Sequence, residues 1–209
     1  MSIGTLGEKG VHAYLKKRFE EHTDSHEIKI GGFVADIVGE QGIIEIQTAA
    51  FERLNKKLKA FLAATNVTVV YPVVAGTTIY NIETKRKYAS PKHKTKFNFL
   101  NEAYKIREFL QNDRLSFILV LMSVIEERSG KGKSAVKLNR FPNEILEEIV
   151  LDDWHIFTEG LSEVFTQSDF AAHTGLYGRD AWGALQTLLS IGIVTEIDKK
   201  GRTKQYRVC

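Results

Sequence analysis

The chain predicts an α/β fold of the α+β kind, with a mixed central sheet flanked by helices and a small helical and hairpin module at the end. Three observations carry that prediction. Apolar residues recur at helical spacing near the N-terminus, runs rich in β-branched residues follow, and from Leu161 the pattern changes to short helices and paired strands. With 209 residues, 43% of them hydrophobic, the chain can fill one large core or two smaller ones, and disorder is excluded.

Each element has its own signal. Residues 5–22 read as a helix, with Thr5 as N-cap, Glu8 in the first turn, and Val11, Tyr14, Leu15 and Phe19 sharing a face. IKIGGFVADIVGEQGIIEIQT reads as a hairpin turning at Gly39 to Gly42. Residues 51–64 return to helical spacing. VTVVYPVVAG is a strand that Pro72 places near a sheet edge or a strand end, because proline cannot donate to a ladder. TTIYNIE is a further short strand, 97–110 a helix, and 115–125 an apolar buried strand or the core of a mixed element. SGKGKS at 129–134 is the clearest linker signal. The expected organisation is therefore a domain over 1–130, an acidic connector over 131–160 and a C-terminal domain over 161–209.

The net charge of +3 hides a strong segregation. Residues 84–107 carry a net +7, residues 138–163 a net −6, and the stretch from Asp198 a net +4. Tyr88, His93, Phe97, Phe99 and Tyr104 interleave with the first basic block, which favours a polyanion-binding surface that includes Lys92 and Lys94. The longest strongly apolar run, 117–125, is well short of the ~20 residues that cross a bilayer, and the first ten residues lack a signal-peptide pattern. A cytoplasmic protein with no membrane partner is expected. The single cysteine, Cys209, excludes an intrachain disulfide and a thiolate zinc cage. GKGKS at 130–134 is not a phosphate-binding P-loop, since Glu127 stands where that motif needs glycine.

The chemistry-bearing residues lie in the hairpin. Glu45 and Gln47, two apart on one strand, share a face, and antiparallel pairing brings Asp36 beside them. Carboxylates in so apolar a setting call for compensation, which a hard divalent cation supplies; magnesium fits best, with manganese as a substitute.

This arrangement resembles the PD-(D/E)XK nuclease superfamily over roughly residues 1–125: a helix with Glu8, the strand VADIV with Asp36, the strand IIEIQ with Glu45 and Gln47, a helix, then VTVVYPV. The resemblance implies a restriction-endonuclease-like fold, with Asp36 and Glu45 as metal ligands, Glu8 and the Ile46 carbonyl as further ligands, and Gln47 in the catalytic set. Ala35 replaces the usual proline. Gln47 stands where lysine is commonest; an amide is no general base near neutral pH, so it could only orient water. In some members the lysine has moved to a neighbouring helix, and Lys56, Lys57 and Lys9 are placed to serve.

The segment from Leu161 resembles a winged helix-turn-helix. A short helix near 168–173 and the turn at Gly175 to Gly178 precede a helix from Arg179 in the recognition position, and strands at 193–196 and 205–208 enclose a basic wing. Tyr177, Arg179, Gln186 and Thr187 are expected off the apolar face, with Arg179 and Gln186 suited to base edges and Lys199, Lys200, Arg202 and Lys204 to phosphates. Gly183 allows a close approach, and Trp182 is expected at the interface with the rest of the protein. The function these features imply is a magnesium-dependent DNA endonuclease, with a homodimer allowed because cutting two strands needs two sites. The alternative is a DNA-binding regulator that keeps a nuclease-like scaffold without cutting.

Overall fold

A computed structural model describes residues 6–201 and 203–209. The chain forms a mixed α+β fold whose large sheet is covered by helices on both faces. Helix α1 (Leu6–Phe19) leads into β1 (His26–Ile30), β2 (Phe33–Gly39) and β3 (Gly42–Ile46), an antiparallel meander. The run expected to be one arm of a hairpin is thus two strands. Gly31 and Gly32 have φ of 56° and 83°, the positive values of a tight two-residue turn, and Ile30 pairs directly with Phe33 across them.

A 3₁₀ turn at Phe51–Leu54 and helix α2 (Asn55–Phe61) then carry the chain to β4 (Val67–Asn81). β3 and β4 are parallel, paired from Ile43↔Val67 to Ile46↔Val70. VTVVYPVVAG and TTIYNIE, expected as separate strands, are one continuous strand in the middle of the sheet. Proline is tolerated there because β3 has already left. Asn66 and Val70 present their carbonyls to Ile43 and Gln47, so alternation turns the Pro72 nitrogen to that same side, beyond the last β3 pair.

β5 (Lys87–Ala89) adds to the far end of β4, followed by α3 (Phe97–Ala103), β6 (Leu115–Ser129) and β7 (Val136–Val150). β6 runs parallel to β4, and β7 antiparallel to β6, giving the order β1-β2-β3-β4-β6-β7. Two expectations are corrected here. SGKGKS is the turn of the β6–β7 hairpin, with Gly130 at φ 92° and Gly132 at φ 60°, and half of the acidic connector is β7 itself. Its charges fit an edge strand, where solvated carboxylates discourage pairing with another chain.

The last segment comprises β8 (Val164–Thr166), α4 (Gln167–Thr174), α5 (Gly178–Ser190), β9 (Val194–Lys200) and β10 (Thr203–Val208), with a sheet ordered β8-β10-β9. Thr166 and Asp169 form a reciprocal capping box at the start of α4, and Gly175 ends it at φ 68°.

Two apolar layers hold the sheet. On one side Val11 and Leu15 of α1 meet Ile37, Ile46, Val70, Val120 and Met122. On the other, α2 and α3 bury Leu58, Phe61, Phe99 and Leu100, and the same core continues into Phe157, Phe165, Phe170 and Leu185. No apolar gap separates the C-terminal segment. α5 lies on α3: Thr187 Oγ1 donates to the Leu100 carbonyl at 2.7 Å, Asn101 Nδ2 to Asp180 Oδ1 at 3.1 Å, and Trp182 meets Tyr104 edge-on at 5.1 Å. Thr187, expected on an open face, is therefore fully buried.

α1 is seated on β7 through a single glycine. A Cβ on Gly10 would lie 2.3 Å from the Arg140 carbonyl oxygen, a backbone atom that cannot move without the strand. Gly10→Ala is expected to lift α1 off the sheet and cost about 1–3 kcal/mol, the usual range for overpacking. A denaturant midpoint lowered at constant m-value checks this.

Candidate active site

The site arises where β2 and β3 part. Their ladder ends at Ile37↔Ile44, because β3 turns away to pair with β4 while β2 continues along β1. The next residues on each strand are Asp36 and Glu45. With no main-chain partner across the fork, their side chains take over the bonding: the Asp36 N–H donates to Glu45 Oε1 at 3.2 Å, and the Ile46 N–H donates to Asp36 Oδ2 at 2.8 Å. Both carboxylates line a cleft of about 1310 Å³ together with His12, Lys16, Glu27, Gln47 and Lys57.

Each helical layer sends one cationic or imidazole group to the fork. From α2, Lys57 Nζ donates to Glu45 Oε2 at 2.7 Å. From α1, His12 Nε2 lies 3.2 Å from Asp36 Oδ2. A lysine of the following helix therefore stands at the fork, and of the two expected on that helix, Lys56 and Lys57, it is Lys57 that touches Glu45. Gln47 lines the cleft, but its Nε2 donates back to the carbonyls of Ala49 and Ala50. That amide braces the turn in which Ala50 adopts φ 59°.

The two carboxyls are pushed apart electrostatically. Glu45, only 1% exposed, has its pKa raised, first by burial and then by the neighbouring Asp36 charge, with Lys57 opposing. Asp36 is held below the usual range: burial alone would raise it, but the contact with His12, the Ile46 N–H and the Lys57 charge together prevail. Glu45 is thereby the carboxyl that is harder to ionise. Because its folded pKa lies above the unfolded value, the stability linked to its protonation is present at low pH and lost as pH rises through that pKa. For Asp36 the sign reverses, and stability is lost as pH falls.

Strain gathers at the same place. Glu27 and Ala50 are two of the three non-glycine residues with positive φ among the described ones, and both border this cleft. Glu27 stands opposite Asp36 in the β1–β2 register and accepts from Lys16 Nζ at 2.9 Å, a bond that lowers its pKa. His12, Lys16 and Glu27 were not singled out in the sequence. The signal available was the spacing of His12 and Lys16, four apart on α1 and continuing the interval from Glu8. The Glu8 side chain lies outside the described ones, as do those of Lys9 and Lys200; Arg202 lies outside the described residues altogether.

The donor set fits a hard divalent ion. Two carboxylates share one fork, the charge of Asp36 raises the proton affinity of Glu45, and the main chain of Ile46 meets Asp36 there through its N–H. Among the described residues no group of three or more His, Cys, Asp or Glu side chains is gathered tightly enough for an ion. Oxygen ligands beyond Asp36 and Glu45 would have to come from main chain, water or Glu8.

The expected DNA contacts are dispersed. Lys92 and Lys94 are exposed and line a second cleft of about 270 Å³. Arg179 and Lys199 are exposed, Gln186 is half-buried, and exposed Lys204 is paired with Glu196 at 2.9 Å. The close approach allowed by Gly183 is made to the protein itself: a Cβ there would lie 2.5 Å from Asn101 Oδ1 of α3.

Residues 9–152 match a family described as a domain of unknown function, DUF8091, and the chain belongs to that family. An uncharacterized protein of Treponema pallidum (strain Nichols) is 32% identical over 224 residues, an alignment covering 99% of this chain and 88% of that protein. The family match takes in the whole fork, α2 and α1 from residue 9, and stops after β7, whereas the Treponema alignment includes the C-terminal segment. No solved structure matches the chain. No described helix is long and apolar enough to cross a membrane.

Proposed function

We propose that the protein is a magnesium-dependent DNA endonuclease of restriction-endonuclease-like fold, with its catalytic centre at the β2–β3 fork. The observation that carries the reading is the Lys57–Glu45 contact beside Asp36: two carboxylates and a lysine meet at the end of a strand pair, with the lysine on the next helix. Bound magnesium would polarise a phosphodiester and supply a water of lowered pKa. Asp36 and Glu45 would hold it, joined by Glu8 or the Ile46 carbonyl. Lys57 opposes the effect of burial on Glu45, favouring its ionised form, and presents a positive charge toward the oxygens of a substrate phosphate. His12 orients Asp36 and can exchange a proton at the cleft wall. Gln47 has its amide nitrogen engaged, so its contribution is to fix the loop after β3.

The C-terminal helices and hairpin support a winged-helix reading, with exposed Arg179 and the wing residue Lys199 as the groups left to meet DNA. Since α5 is packed on α3, this segment would add affinity as part of one rigid surface. The rival, a non-cutting DNA-binding protein on the same scaffold, draws support from Gln47 and from the lack, among the described residues, of a third carboxylate or imidazole gathered for a metal.

Supercoiled plasmid, linear duplex and single-stranded DNA incubated with Mg²⁺ or Mn²⁺ test the proposal. Wild-type protein is expected to nick or linearise at least one of them and to be inert in EDTA. Binding without cleavage in every case favours the rival. The rate is expected to rise with pH as Glu45 ionises, and Lys57→Met moves that limb to higher pH, because the group that lowers the Glu45 pKa is gone.

A further inference from the structure

A second cleft adjoins the first, and the two share Thr48 and Ala49 as a common lip. Its floor is apolar, made by Val11 of α1 with Pro72 and Val74 of β4, and its charged lining residues are Lys92, Lys94 and Arg140. No carboxylate belongs to the described lining, in contrast to the first cleft. The loop bearing the two lysines is strapped to β4: the Lys94 N–H donates to the Val74 carbonyl at 3.3 Å, and His93 Nδ1 lies 2.9 Å from the Ala75 carbonyl. The lysines are thus presented from a fixed backbone.

Arg140 supplies an independent observation. Its Nε is buried and has no hydrogen-bond partner, while its Nη2 reaches only Glu126, at 3.4 Å. The side chain as a whole is 33% exposed and lines the cleft, so its guanidinium keeps donors that the one 3.4 Å contact does not use. Arginine offers a fork of donors that suits phosphate oxygens, and an apolar floor of low polarisability strengthens such contacts. The opening of about 270 Å³ is large enough for a phosphate with its sugar and too small for a duplex.

From these features we infer that the second cleft is the subsite for a neighbouring phosphodiester of the substrate strand. The strand crosses the Thr48–Ala49 lip, one phosphate lying at Asp36 and Glu45 and a flanking one between Lys92, Lys94 and Arg140. The inference rests on the nuclease reading for the identity of the first phosphate, but the subsite itself is a matter of binding and is measured without catalysis.

The test is fluorescence anisotropy of a labelled single-stranded oligonucleotide in EDTA, where no cleavage occurs, over a series of KCl concentrations. For the exposed pair Lys92→Ala/Lys94→Ala, the slope of log affinity against log salt is expected to shrink by about 0.7, the value for one phosphate contact on a single strand. Arg86→Ala/Lys87→Ala, equally exposed in the same basic block but outside the cleft, is expected to leave the slope unchanged. Arg140→Lys, which keeps the charge and loses the fork, is expected to weaken binding several-fold at one salt concentration while thermal unfolding stays near wild type. Equal slope losses in both double variants, or none in either, overturn the subsite. Wild-type protein that shows the expected slopes yet cuts no DNA with metal overturns the nuclease reading and leaves the subsite standing.

Discussion

Lys57→Met is expected to reduce DNA cleavage by about 100-fold or more and to lower the melting temperature as well. The ammonium does two things at once. It lies 2.7 Å from a carboxylate that is only 2% exposed, and it lowers a pKa that burial and Asp36 both raise. Removing one member of a buried pair leaves the other uncompensated, at a cost of about 3–5 kcal/mol when both are fully enclosed. Lys57 retains 27% exposure, so the lower end of that range or less applies. The functional loss follows from a Glu45 that is still harder to ionise and from the missing charge, and removing one preorganised electrostatic group typically costs about 100- to 1000-fold. Glu45→Gln separates the two effects. It is expected to abolish cleavage while leaving stability unchanged or about 1 kcal/mol higher, because a neutral amide is desolvated at far lower cost than a charge and Lys57 can turn to water. Equal stability losses in both variants would mark the pair as merely structural.

Asp36→Asn is expected to bring cleavage down by about 1000-fold, with little change in fold. Asparagine retains an acceptor for the Ile46 N–H, the 2.8 Å bond that closes the fork. What disappears is the charge on the carboxyl that ionises first. Metal-ion stabilisation of a transition state is worth several kcal/mol, and each 1.36 kcal/mol is tenfold in rate, which sets the scale of the loss. Plasmid cleavage assays alongside far-ultraviolet circular dichroism distinguish this outcome from unfolding.

Much of the site was legible because it follows from strand alternation. The placement of Asp36 beside Glu45 needs only a two-residue period and an antiparallel turn, and the turn at Gly39 to Gly42 is where the sequence puts it. The contribution of α2 was legible as two alternatives, Lys56 and Lys57; choosing Lys57 required the angle at which that helix crosses the strand ends. His12 and Glu27 were harder to see. The first depends on how α1 lies against the sheet, fixed by the Gly10 contact with Arg140, and the second on a positive φ that no local pattern of His-Glu-Ile signals.

The sheet was misread where tertiary context outweighs local preference. Pro72 argues for an edge or a strand end, yet β4 runs through the middle of the sheet because its neighbour stops short. β7 reads as an acidic connector because an edge strand alternates poorly: its bulges break the period, and its outer positions carry Glu144, Glu147 and Glu148. Thr187 seemed open to solvent because its partner, the Leu100 carbonyl, is 87 residues away in sequence.

The claim at the centre of this account is that Asp36 and Glu45 hold one divalent ion. Manganese binding followed by electron paramagnetic resonance tests it most directly, on wild-type protein and on Asp36→Asn and Glu45→Gln, without any need to know the preferred DNA. The account predicts one bound Mn²⁺ per chain in wild type, displaced by excess Mg²⁺, with binding lost in both variants. A wild-type protein that leaves Mn²⁺ free, or variants that bind it as tightly as wild type, would contradict it.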